Sequence, residues 1–81
     1  MTIRILAFAQ AREALGASSL ELELPPGSRV SDALRTLVSS APTLAPIAAH
    51  LALAVGEELS DGSRELRDGD ELALLPPVSG G

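Results

Sequence analysis

Val30-Ser31-Asp32-Ala33-Leu34-Arg35-Thr36-Leu37-Val38-Ser39-Ser40-Ala41 is the stretch on which the reading of the fold turns. Val30, Leu34, Leu37, Val38 and Ala41 fall at i, i+4, i+7, i+8 and i+11, one apolar stripe of an amphipathic helix that ends before Pro42. Pro25-Pro26-Gly27 separates it from what precedes, and Ser28 or Ser31 is expected to cap its start by accepting a backbone N–H. No other segment reads as a long helix. A single helix with one apolar face must cover a sheet, and the flanking sequence supplies the strands.

Upstream, Ser19–Leu24 alternates strictly, Leu20, Leu22 and Leu24 inward and Ser19, Glu21 and Glu23 outward, a half-buried antiparallel strand whose charges suit a sheet edge. Before it, residues 2–9 place Ile3, Ile5 and Ala7 on one face and Arg4, Leu6 and Phe8 on the other, which reads as a central strand. Gln10–Leu15, closed by Gly16, is a short helical turn. Downstream, residues 43–50 are a loop with one helical turn, interrupted by Pro46. Residues 51–55 form a short apolar strand closed by Gly56, and Leu59 sits in a very short strand. Asp61-Gly62 and Asp68-Gly69 are turn dipeptides. Residues 71–75 alternate again, Leu72 and Leu74 opposite Glu71, Ala73 and Leu75, and Pro76-Pro77 ends them. The order predicts an α+β roll: a mixed sheet of about five strands with one long helix on one face, the domain over residues 1–75 and a tail over 76–81.

A chain of 81 residues supports one core, since a domain this small buries only about 60% of its unfolded surface. With 46% hydrophobic and 21% charged residues it has the composition of a globular domain, and Phe8 is its one aromatic residue. No apolar run reaches the roughly 18 residues of a membrane span and Met-Thr-Ile-Arg opens no signal core, so the expected location is the cytoplasm, away from membranes. The formal charge of −5 argues against a nucleic-acid partner. That charge resides in residues 57–71, where seven acids face Arg64 and Arg67. Cysteine is absent, which excludes thiolate zinc sites and thiol catalysis, and so is lysine, which excludes Schiff-base chemistry on this chain.

Pro76-Pro77-Val78-Ser79-Gly80-Gly81 follows a strand with a stiff step and then with residues of decreasing bulk. At about 3.3 Å per residue, six positions reach roughly 20 Å, enough to enter a partner's active site. Gly80 and Gly81 lack Cβ atoms and can thread a channel too narrow for other residues, so the reactive group is expected to be the α-carboxylate of Gly81. Adenylated by ATP, that carboxylate becomes an acyl-adenylate that a sulfur nucleophile displaces, leaving a thiocarboxylate.

Phe8-Ala9-Gln10-Ala11-Arg12-Glu13 with Gly16, Val30 with Ala33-Leu34, Leu66 with Asp68-Gly69-Asp70-Glu71, and the Pro76–Gly81 tail together resemble the small, sulfur-carrying subunits of molybdopterin synthase, ubiquitin-like proteins of β-grasp fold. The resemblance spans essentially the whole chain. It implies that a ubiquitin-activating-like adenylyltransferase uses ATP on Gly81 and that sulfur replaces the adenylate. The tail then enters the large synthase subunit and donates sulfur to cyclic pyranopterin monophosphate, in a heterotetramer of two small and two large subunits. No cofactor is expected on this chain itself, and acid–base groups are expected from the partner. Other readings stay open: a sulfur carrier for thiamine or a tungsten-type pterin, a ubiquitin-like modifier joined to lysines of other proteins, or an interaction module whose Gly-Gly is idle.

If the first and last strands are neighbours, Leu6, Phe8, Ala73 and Leu75 form an apolar patch facing away from the helix beside the tail. That patch is expected to dock the large subunit with Phe8 as anchor, together with Pro76, Pro77, Val78 and Ser79, unless residues 43–50 fold over it. Arg12 is expected to pair across that interface. His50, a lone histidine, receives no role. The acidic segment lacks calcium-loop spacing and is read as solvated turns, with a steering role toward basic partner surfaces and no metal.

Overall fold

Alternation of apolar residues places five strands around one helix-covered core in the computed structural model, which describes residues 1–77. In chain order these are β1 (Thr2–Ala7), α1 (Ala9–Leu15), β2 (Ser19–Glu23), α2 (Val30–Ser40), a 3₁₀ turn (Pro42–Leu44), α3 (Ala45–Ala48), β3 (Ala52–Val55), β4 (Glu58–Ser60) and β5 (Glu71–Leu75). The sheet order is β2-β1-β5-β3-β4. β1 and β5 run parallel and the other neighbours antiparallel. This is the ubiquitin-like β-grasp arrangement, an α+β fold. β1 is an interior strand as its two apolar faces predict, while the centre of the sheet is β5.

Ile3, Ile5 and Ala7 of β1, Leu53 and Val55 of β3, and Leu72 and Leu74 of β5 are buried with Val30, Ala33 and Leu37 of α2, Leu44, Leu66 and Ala11. Leu34 and Val38 pack at the edge of this core, so the helix stripe includes Ala33 and is centred one position away from the predicted one. Among the described residues, each of the seven large, fully buried side chains contributes roughly 1.5–3 kcal/mol of burial free energy.

Neither Ser28 nor Ser31 caps α2. The cap position is Arg29, whose N–H donates to Asp32 Oδ2 at 2.8 Å, while the Ser28 hydroxyl donates back to the Pro25 carbonyl at 2.7 Å. The N–H groups of Val30 and Ser31 donate instead to the carbonyls of Arg64 (2.9 Å) and Gly62 (3.0 Å). A loop distant in sequence thus satisfies the helix donors that a serine would otherwise serve. Gly62 lies against Ser31 closely enough that a Cβ there would meet the Ser31 Cβ at 3.3 Å.

The acidic segment is held by its own carboxylates. Asp61 Oδ1 accepts both the N–H and the hydroxyl of Ser63, Asp68 Oδ1 accepts the Thr2 N–H at 2.7 Å, and Asp70 Oδ2 accepts the Arg67 N–H at 2.8 Å. The two Ser63 bonds, the hydroxyl first, hold Asp61 below its ordinary carboxylate range. A depressed folded value means that this contribution to stability is present above the ordinary value and is lost as pH falls from there through the lowered folded one. Ser63→Ala is expected to move the Asp61 midpoint back up, read from its carboxyl resonance in an NMR titration.

β3 and β4 are joined by Gly56-Glu57, both at positive φ (55° and 72°), a two-residue turn that matches the twist of the strands. Glu57 is a strained choice there. Glu57→Gly is expected to stabilise the domain by about 1 kcal/mol, raising the thermal midpoint by about 4–8 °C in calorimetry.

Candidate functional site

Strand pairing decides which outward side chains share a surface. Leu6 stands opposite Ser19 on one side and Ala73 on the other; Ala73 pairs with Ala54, and Ala54 with Leu59. A row Ser19–Leu6–Ala73–Ala54–Leu59 therefore crosses the whole sheet on the face turned away from α2. In the next row, towards the end of β5, Leu75 pairs with Ala52 and Phe8 continues β1 alongside it. Phe8 is 46% exposed and Leu59 71%, the two large apolar residues most open to solvent among the described residues.

The expected patch of Leu6, Phe8, Ala73 and Leu75 is thus on one face, and it is larger than expected. Ala52, Ala54 and Leu59 were not legible as part of it. Leu59 stands between Glu58 and Ser60 in an acidic, irregular stretch, and only the register with Ala54 shows which way it faces. At the β4 edge it also lines a separate shallow apolar groove on the α2 side, with Leu34 of α2, Leu51 and Leu53. Residues 43–50 do not cover this face, because Leu44 is buried and its 3₁₀ turn packs against α1 and α2 on the opposite side of the sheet.

One row further from the tail the surface becomes charged. Arg4 stands opposite Glu21 and Glu71, with Arg4 Nη1 4.0 Å from Glu71 Oε2. Both side chains are more than half exposed, and such a pair contributes little stability. The acidic residues adjoin the tail strand in sequence, but Glu71 is its first residue. The five residues of β5, about 16 Å at 3.3 Å each, separate Glu71 from Pro76. Arg4, Glu21 and Glu71 thus share a charged row at the far end of the sheet, while Asp61, after Ser60 of β4, shares a groove with Ala52 nearer the tail end.

α1 begins directly after Phe8, ends on Gly16 at φ 73°, and buries Ala11 while leaving Arg12 exposed. The residues predicted to form a long strand over 2–9 stop pairing at Ala7, because Ala9 at φ 49° turns the chain into the helix. Pro76 and Pro77 are exposed at the end of β5. Val78, Ser79, Gly80 and Gly81 lie outside the described residues. His50 is exposed after α3.

Comparison with known proteins agrees with this architecture. Residues 5–81 match the ThiS family. A molybdopterin synthase sulfur carrier subunit of Arabidopsis thaliana is 40% identical over 79 residues, covering 98% of this chain and 82% of that one. A protein of the same name from Homo sapiens is 30% identical over 82 residues, covering 98% and 93%. Among solved structures, small archaeal modifier protein 1 of Haloferax volcanii superposes with a TM-score of 0.86 at 27% identity, covering 95% of this chain and 98% of that one. The family match, the 40% identity over 98% of the chain and the β-grasp topology converge on one conclusion: the chain belongs to the ThiS family of ubiquitin-like sulfur carriers.

Proposed function

We propose that this chain is the sulfur-carrying small subunit of molybdopterin synthase and that Gly81 is its reactive residue. The observation that carries the reading is the open apolar face from Phe8 to Leu59 at the root of the exposed Pro76-Pro77 step, in a chain whose near full-length relatives bear that name. The carboxylate of Gly81 attacks the α-phosphorus of ATP on an adenylyltransferase and pyrophosphate leaves. A sulfur nucleophile then displaces AMP, and the resulting thiocarboxylate enters the large subunit and gives its sulfur to cyclic pyranopterin monophosphate. Two carriers in turn complete the dithiolene, which suits a heterotetramer of two small and two large subunits. The chain has neither cysteine nor lysine, so it acts as subunit and co-substrate while acid–base groups come from the partner.

Incubation with the cognate activating enzyme, ATP and a sulfur source tests this. A mass gain of about 16 Da marks one oxygen replaced by sulfur at the terminus. No gain with active enzyme present overturns the carrier reading. A second reading, a protein modifier, is favoured by the likeness to small archaeal modifier protein 1. It predicts instead an isopeptide between Gly81 and a lysine of another protein, seen as a product of the summed masses less one water.

A further inference from the structure

The acidic loops contain two Asp-Gly steps, Asp61-Gly62 and Asp68-Gly69, and the sulfur-carrier chemistry uses neither. Such a step carries a reaction of its own. The glycine backbone nitrogen attacks the aspartate Cγ, the N–H proton leaves with a carboxyl oxygen as water, and a cyclic succinimide closes. Glycine favours the attack because no Cβ crowds the approach. Water then reopens the ring at either carbonyl. Opening at Cγ restores aspartate; opening at the main-chain carbon leaves isoaspartate, whose backbone runs through the side chain and is one atom longer.

The fold treats the two steps differently. At Asp68-Gly69 both reacting groups are tied to β1: Asp68 Oδ1 accepts the Thr2 N–H at 2.7 Å, and the Gly69 N–H donates to the Thr2 carbonyl at 2.8 Å. The nucleophile is engaged and the carboxyl is drawn away from it. At Asp61-Gly62 the bonds fall elsewhere. Asp61 Oδ1 accepts the N–H (2.8 Å) and the hydroxyl of Ser63, which turns the carboxyl back over its own chain, across the intervening glycine. The Gly62 N–H has no hydrogen-bond acceptor among the described residues. The Ser63 bonds favour the ionised carboxylate, which gives up oxygen slowly, but they leave the nitrogen free.

We propose that Asp61-Gly62 is a modification site of the folded chain, closing to a succinimide and reopening to isoaspartate, while β1 protects Asp68-Gly69. Its position gives the change a consequence. The Gly62 carbonyl accepts the Ser31 N–H (3.0 Å), the Arg64 carbonyl accepts the Val30 N–H (2.9 Å) and the Ser63 carbonyl accepts Arg29 Nη1 (3.1 Å), so this loop holds the start of α2. An extra backbone atom next to Gly62 shifts these carbonyls away from their donors, and helix N–H groups that lose their partners cost stability.

The test incubates the full chain in mildly acidic buffer, one portion native and one unfolded in concentrated urea. Isoaspartate is then located by electron-transfer fragmentation of peptic peptides, which distinguishes the two backbone linkages. In urea both steps are expected to react at similar rates, because the bonds to Thr2 and Ser63 are gone. In the native chain isoaspartate is expected to form about tenfold faster at position 61 than at 68, the factor that one hydrogen bond withholding about 1.4 kcal/mol supplies. Equal rates at the two positions of the native chain, or a faster reaction at 68, overturn the assignment. So does a native chain free of isoaspartate at 61 when the urea portion has formed it. Native chains carrying isoaspartate at position 61, separated by ion exchange, are expected to melt below the parent. An unchanged midpoint overturns the link to α2.

Discussion

A chain lacking Gly81 is expected to show no mass gain with activating enzyme, ATP and sulfur source, and no transfer of sulfur in the presence of the large subunit. The loss should be complete because deletion moves the carboxylate back by one residue, about 3.3 Å. Misplacing a reacting atom by even 1 Å costs roughly a hundredfold in rate. Gly80 becomes the terminus, and its carboxylate is chemically identical to the lost one, so the experiment isolates reach from reactivity. The thermal midpoint serves as the control. The core is built from β1, β3, β5, α1, α2 and the loops between them, and Leu74 is the last buried residue among the described residues, so the deletion should leave the midpoint within error of the parent. A Gly81 deletion that still gains sulfur would place the reactive group elsewhere.

The second large effect is expected from Phe8→Asp. Apolar anchors at the centre of an interface typically cost 2–4 kcal/mol on removal, which is about 30- to 1,000-fold in affinity at 1.4 kcal/mol per tenfold. A carboxylate placed on the same surface adds desolvation to the lost contact. Phe8 is 46% exposed and does not belong to the buried core, so the change should reach binding and spare stability. Leu59→Asp tests the far end of the same row, and loss of affinity there would show that the dock spans the whole sheet from β1 to β4. Arg12→Ala should change affinity less and salt dependence more, as expected of an exposed charge at a rim. Titration calorimetry against the large subunit at two salt concentrations reads all three. Normal binding by Phe8→Asp would remove the face from the mechanism.

Much of the domain could be read directly from the residues because its signals are local. Period-2 alternation located β2 and β5 to within a residue, the i, i+4, i+7 stripe and Pro42 located α2, and Gly16 closed α1. The helix start was misread because serine is an intrinsic capping residue, whereas the donors of Val30 and Ser31 are met by carbonyls more than thirty positions away. The very short strand expected at Leu59 is β4, but the face Leu59 presents was not legible, because three residues carry too little alternation to show one until Ala54 is placed beside them.

Sequence alone therefore determined the element types, the single core and the lack of cysteine and lysine side chains, since each follows from residue identity and short-range periodicity. Tertiary structure alone decided the rest: the parallel pairing of β1 with β5, the joining of Phe8, Leu6, Ala73 and Leu59 into one open face, the gathering of Arg4, Glu21 and Glu71 into one row at the far end of the sheet, and the left-handed corner at Ala9. The physical reason is the same for all four. Long-range strand register and a backbone dihedral imposed by packing on both sides are properties of contacts between distant residues, and no local pattern encodes them.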